Sequence, residues 1–241
     1  MKAQADKLDA MLRIVFEHFC STSGTTGTTV SKDSSPLDAS SPSTTEEKRS
    51  LRRIQFRTLL SIFERTILRT FKSRYTQFLV FWYSSLDPEF TNDFLGWLSI
   101  KALIDEEQSI IVRAAAASYI ASFVSRAQFV DAAQTQQVVK LMCERLSQEL
   151  TVFSAMDDPS HSTSVTLFYV IAQAVFLIFC FRWRDLYETT IDGEADDAED
   201  LDDSVPKRWI PDLDILHQAV ISELNPLKVC FLYQQFYIRC H

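Results

Sequence analysis

Glycine is scarce: the chain of 241 residues holds only 4, where average usage of roughly 7% would supply about 17. Barrels, sandwiches and phosphate-cradling loops need glycine at their tight turns, so none of these is the expected architecture. The five cysteines (Cys20, Cys143, Cys180, Cys230, Cys240) stand far apart without a CxxC pair, which reads as free thiols in a reducing compartment. Lys2, Asp6, Lys7 and Asp9 interrupt any apolar run at the start, so no cleavable signal peptide is expected. Chemistry-bearing motifs are equally sparse. There is no Gly-rich loop, GxSxG elbow, HExxH or DxDxDG pattern. The histidines (His18, His161, His217, His241) are scattered, and neither His18 with Cys20 nor Cys240 with His241 supplies the two converging pairs that zinc needs. No catalytic residue, metal or cofactor is therefore expected, and the chain does not read as an enzyme. A Cys–His pair that meets only in the fold stays open on this basis.

The formal charge of −8 is unevenly spread. Residues 192–203 (DGEADDAEDLDD) hold eight acidic groups and no basic one, leaving 24 acidic against 24 basic elsewhere. Like charges at that density repel and bury little, so 192–203 is expected to be a disordered acidic insert. Residues 21–45 form a second low-complexity stretch, with 15 Ser or Thr and almost no large apolar group. Nothing there offsets the ordering entropy, and a flexible connector is expected. Ser35 and Ser41, each followed by proline, and Thr44, with Glu47 three residues on, are candidate phosphorylation sites.

Elsewhere the period is helical. Leu8, Leu12, Val15, Phe16 and Phe19 fall on one helix face, as do Phe56, Leu59, Leu60, Phe63 and Ile67. Thr44 with Glu47 and Asp131 with Gln134 have the spacing of capping boxes, and Asp87-Pro88 and Asn225-Pro226 that of a cap followed by proline. Ala114 to Ala117 place small side chains where two helices would approach closely. The pattern predicts an all-α chain of about eight helices of roughly 12–22 residues. Neighbouring pairs span about 40 residues, the repeat length of HEAT and armadillo solenoids. A single helical-repeat domain over 1–241 is expected, interrupted by the two inserts.

Two segments admit a second reading. Val165–Phe181 (VTLFYVIAQAVFLIFCF) is almost wholly apolar, near the length that crosses a bilayer, with Gln173 at its centre and Arg182 closing it. A helix apolar all round also suits the middle of a solenoid. The buried soluble helix is the preferred reading, and a single-span membrane protein is the alternative. Lys48–Arg74 holds nine basic residues against Glu64 alone, which fits either a solvated helix face or a surface for an anionic partner. The near-neutral remainder argues against nucleic acid as the main ligand.

Several ordered blocks carry a resemblance. Thr70 to Tyr83 (TFKSRYTQFLVFWY) is similar to the T-H-x-S-x-x-x-Q-F-x-x-F-Y segment of the RNA polymerase I-specific transcription initiation factor family. Blocks similar to the same family follow in order: Lys7–Asp9 with Phe16-Glu17, Phe94 to Leu98, Val112–Ala116 with Tyr119–Phe123, Arg126-Ala127 with Phe129, Ala172–Phe176 with Phe179 and Phe181-Arg182, and Leu224–Cys230. Arg69 stands where the family usually has proline. Gln128 stands where it often has lysine in a Leu-Ala-Arg-Ala-Lys motif.

The resemblance implies a non-catalytic HEAT-type solenoid, nuclear and nucleolar, that bridges RNA polymerase I to a promoter-bound core or selectivity factor at ribosomal RNA genes. It implies no membrane. Charged residues in the family-like blocks become the candidate partner contacts: Arg74, Arg113, Arg126 and Lys228. The similarity covers a central to C-terminal portion of longer family members, so a fragment is expected. Residues 231–241 form an atypical tail. A general helical-repeat scaffold with another client is the remaining alternative.

Overall fold

The computed structural model describes residues 2–23, 42–70, 76–155, 163–188 and 208–229. Among these the chain is helical, as the sequence predicts, and the extended pairing is a single antiparallel bridge between Tyr187 and Trp209. The elements are α1 (Lys2–Ser23), α2 (Pro42–Ile62), a π-helical turn (Phe63–Ile67), α3 (Leu68–Thr70), α4 (Gln77–Ser84), α5 (Pro88–Ser99) and a second π turn (Ile100–Ile104). Then come α6 (Ile110–Arg126), α7 (Ala132–Ser154), α8 (Thr163–Arg182), 3-10 turns at Trp183–Leu186 and Pro211–Leu213, and α9 (Asp214–Ile221). They form two compact units: Met1–Ile67 with Lys72–Tyr83, and Leu68–Phe71 with Ser84–His241.

The Ser/Thr-rich stretch is narrower than its composition predicts. Helix α1 continues through Ser23 and α2 opens at Pro42, where the fixed φ of proline suits a first helical turn. Thr44 is therefore inside α2 and not its cap. Residues 24–41, with Ser35 and Ser41, lie outside the described residues, as do the acidic stretch 192–203 and the tail 231–241.

The first unit is held by aromatics. Phe56, Phe63 and Tyr83 are buried; Phe16 meets Trp82 edge-on at 4.8 Å, and Phe19 and Phe56 contact Tyr83 at 5.6 and 6.3 Å. The Tyr83 hydroxyl donates to Gln55 Oε1 at 2.8 Å, so its burial leaves no orphan polar group. Desolvation raises its pKa. On α1 the predicted stripe is half-buried from Leu12 onward, at Leu12, Val15, Phe16 and Phe19, while Leu8 stays exposed.

In the second unit α8 packs against both α6 and α7. Leu167, Phe168, Ile171, Ala172, Val175 and Ile178 are all at most 1% exposed. Each large member contributes about 1.5–3 kcal/mol. Ala115, Ala116 and Ala117, buried on α6, and Ala172 and Ala174 on α8 remove the bulk that would hold the two helices apart. By length and composition Val165–Leu186 is apolar enough to cross a membrane, yet a broad face of it forms the centre of this unit. The caps predicted at Asp87 and Asp131 form. Asp87 accepts from Glu89 N at 2.9 Å. Asp131 and Gln134 form a full capping box, at 2.7 and 3.0 Å.

Candidate partner-binding corner

Helix α6 ends at Arg126, and the chain turns through Ala127–Val130 into α7. Ala127 and Val130 are plugged into the core at 7% and 1% exposure, which leaves Gln128 and Phe129 between them on the surface. Backbone bonds Ala127 N→Phe123 O (2.8 Å) and Val130 N→Ala127 O (3.1 Å) fix the turn. The Phe129 ring is 45% exposed and rests edge-on against buried Phe123 at 5.7 Å, which in turn meets Phe94 at 5.1 Å.

A single side chain from α8 locks this corner from behind. Arg182 Nη1 donates to the carbonyls of Val124 (3.1 Å) and Ala127 (3.0 Å), and Nη2 to that of Val130 (2.5 Å). Its Nε pairs with Asp185. One guanidinium thus satisfies the carbonyls that the end of α6 and the turn leave without helical donors, as cations at helix C-termini do. Gln136 of α7 donates to the carbonyls of Asp185 (2.8 Å) and Tyr187 (2.9 Å), tying the segment after α8 to the same corner.

The predicted contact residues fare differently. Arg126 is exposed at the corner, and its Nη1 bonds Ser122 Oγ at 2.7 Å, which orients the guanidinium without burying it. Lys228 is exposed beyond α9, in a turn anchored by Tyr169 Oη→Leu224 O at 2.7 Å. Arg74 lies outside the described residues. Arg113 corrects the surface reading: it is 8% exposed, and its Nε and Nη2 donate to the carbonyls of Ala102 (3.2 Å) and Leu103 (3.4 Å), which belong to the π turn after α5. Burial lowers its pKa, and the nearby Arg145 charge acts in the same direction. Arg113 is a structural residue, unavailable to a partner. Arg182 was legible as a member of a family-like block and as a charge closing the apolar run, but not as a pin. The available signal was the cluster Arg182, Arg184 and Asp185 closing a long apolar run, where the last carbonyls need donors.

Among the described residues no three His, Cys, Asp or Glu side chains gather as metal ligands. Cys143 is buried in α7, and desolvation pushes its thiol up to about 12, so at neutral pH it is protonated and a poor nucleophile. Because the unfolded thiol titrates near 9.0, Cys143 costs no stability below that pH and increasingly favours unfolding as pH rises from 9 towards 12. Maleimide labelling at pH 7.5, read by peptide mass spectrometry, is expected to modify exposed Cys180 at least about tenfold faster than Cys143. Comparable rates would contradict the packing of α7.

Comparison with known proteins gives the corner a context. A crystal structure of RNA polymerase I transcription initiation factor Rrn3 superposes with a TM-score of 0.63 at 23% identity, over 78% of this chain and 36% of that one. At that identity it speaks for the fold, a helical-repeat type. The RNA polymerase I-specific transcription initiation factor rrn3 of Schizosaccharomyces pombe is 38% identical over 194 residues, 80% of this chain and 30% of the relative. The corresponding factor of Mus musculus is 31% identical over 180 residues, 73% of this chain and 25% of the relative. The chain thus spans less than a third of the length of either relative. The family described as RNA polymerase I specific transcription initiation factor RRN3 matches residues 1–232, and the chain belongs to that family.

Proposed function

We propose that the chain is the central to C-terminal part of a non-catalytic nuclear, nucleolar adaptor that holds RNA polymerase I and a promoter-bound factor together at ribosomal RNA genes. The observation that carries this reading is the α6–α7 corner. Exposed Arg126, Gln128 and Phe129 stand on a turn that Arg182 fixes through three carbonyls. A rigid turn presenting an arginine beside an aromatic ring loses little freedom on binding, and these are residue types enriched at interface hot spots. A helical-repeat body suits a bridge because its stacked helix pairs offer separate faces to separate partners. Arg126 is the principal contact in this proposal, with Lys228 and Arg74 as further ones.

Arg126→Glu replaces an exposed side chain whose described bonds are to Ser122 alone, so its effect on stability is expected to stay within about 0.5 kcal/mol. Binding to the promoter-bound factor is expected to fall at least about tenfold, while binding to the polymerase persists. Quantitative pull-down with each purified partner reads both. Unchanged capture of the promoter factor by Arg126→Glu and by Phe129→Ala would overturn the assignment of the corner.

A further inference from the structure

Helix α2 is buried on one side only. Phe56 and Leu59 face the core of the first unit at 2% and 6% exposure. On the other side Leu51, Ile54 and Ile62 are 41%, 59% and 50% exposed. With Thr58 they stand at i, i+3, i+7 and i+11, a continuous stripe roughly 16 Å long at helical rise. Basic side chains flank it: Lys48, Arg57 and Arg65 are all exposed. Acidic groups are confined to the start of the helix, at Glu46 and Glu47, and to half-buried Glu64 in the following π turn. A solvated helix face has no use for three large aliphatic residues in line, and an apolar stripe beside like charges is the pattern of a helix that receives another segment.

We propose that this face of α2 is a docking surface for an acidic helical segment of a partner protein, one carrying aliphatic or aromatic anchors at i, i+3 or i+4, and i+7. Charge complementarity selects the sign of the partner: the cations beside the stripe favour carboxylates and disfavour a basic segment. The stripe selects its class. A phosphate backbone offers Leu51, Ile54 and Ile62 nothing to bury against, whereas an amphipathic helix does. Insertion into an anionic bilayer would require α2 to lie free at an interface, but its opposite side is committed to the aromatic core. The surface is separate from the α6–α7 corner and does not depend on the role proposed there.

The test uses the full chain and a fluorescent designed helical peptide of about sixteen residues, rich in glutamate, with leucines at the anchor spacing. Anisotropy is expected to give a micromolar dissociation constant that weakens at least about tenfold in Ile54→Glu and again in the double variant Arg57→Glu, Arg65→Glu. The double variant is also expected to acquire binding to the same peptide with lysine in place of glutamate. All these positions are exposed, so circular dichroism should show intact helices, and Arg126→Glu should leave peptide binding unchanged. Equal binding by a glutamate peptide with alanine at the anchors would overturn the proposal, since charge alone would then suffice. Preference for a single-stranded RNA of similar length or for phosphatidylserine vesicles would overturn it too. A tenfold or greater gain in peptide affinity on deleting residues 192–203 would identify the chain's own acidic segment as the occupant, and that also overturns a partner. Absence of any peptide binding would end the proposal outright.

Discussion

Replacing Arg182 with alanine is expected to lower the midpoint of thermal unfolding of the second unit by about 10 °C, the equivalent of about 3–5 kcal/mol in a chain of this size. The side chain is 14% exposed, so little water is at hand to take over its bonds. Its removal takes the guanidinium donor from the carbonyls of Val124 and Val130, leaves that of Ala127 with the Val130 N–H alone, and strips Asp185 of its counter-charge. Orphaned buried acceptors cost more than their bonds contribute when made. Arg182→Lys keeps the charge, but one nitrogen at the end of a flexible stem does not span three oxygens in a fixed fork, so an intermediate loss is expected. Asp185→Asn, by contrast, should cost about 1 kcal/mol, because that carboxylate is 29% exposed and pairs near the surface. Calorimetry of the three variants separates the fork from the charge. A shift under about 2 °C for Arg182→Ala would show that the turn holds itself.

Arg182 also links stability to the proposed contact. The pin lies behind the turn, while Arg126 and Phe129 lie in front of it. Loosening the pin is therefore a way to weaken the contact without touching a contact residue. Hydrogen exchange at residues 123–136 reads that loosening separately from global unfolding.

How much of this was legible beforehand follows from where the information sits. Helices were legible because Phe56, Leu59 and Phe63 repeat at the helical period and are indeed buried together. The same holds for the caps at Asp87 and Asp131, whose bonds are local in sequence. The start of α2 was missed by three residues, because Pro42 competes with the Thr44–Glu47 spacing and composition says only that the stretch is polar. Arg113 was misplaced for a deeper reason. Its partners are the carbonyls of Ala102 and Leu103, set free by a π turn, and no periodicity announces a π turn. Arg182 bonds oxygens more than fifty positions away. Long-range pairing of a charge with backbone is invisible to any local pattern. The α2 stripe was half legible: the basic excess was plain, but exposure of Leu51, Ile54 and Ile62 depends on which side of the helix meets the core.

The other large effect is expected at Glu149, where alanine should destabilise the second unit by about 3–5 kcal/mol and glutamine by somewhat less. Glu149 is 4% exposed in α7, and its Oε1 accepts from Arg145 Nε and Nη2 at 2.7 and 2.6 Å. Arg145 reaches on to Glu106 at 3.2 Å, but that carboxylate is 73% exposed and heavily screened. Arg113, buried beside them, is pushed towards deprotonation by its own burial and then by Arg145, and is held protonated in part by Glu149. Removing the Glu149 charge therefore leaves two arginines near each other with Glu106, which faces solvent, and Asp105 as the acidic neighbours that act on Arg113. Glutamine preserves volume and one acceptor, so the difference between the alanine and glutamine variants measures packing, and what remains measures charge. Adding 1 M salt should rescue little, because the pair is shielded from ions. The double variant Arg145→Met, Glu149→Leu is expected to recover most of the loss, since replacing both members of a buried pair with apolar side chains removes the desolvation cost along with the attraction. Chemical unfolding of the four proteins at matched salt reads these terms. If Glu149→Ala unfolds at the same denaturant concentration as the parent, Arg145 is satisfied by other groups and the carboxylate is not what keeps two cations inside the unit.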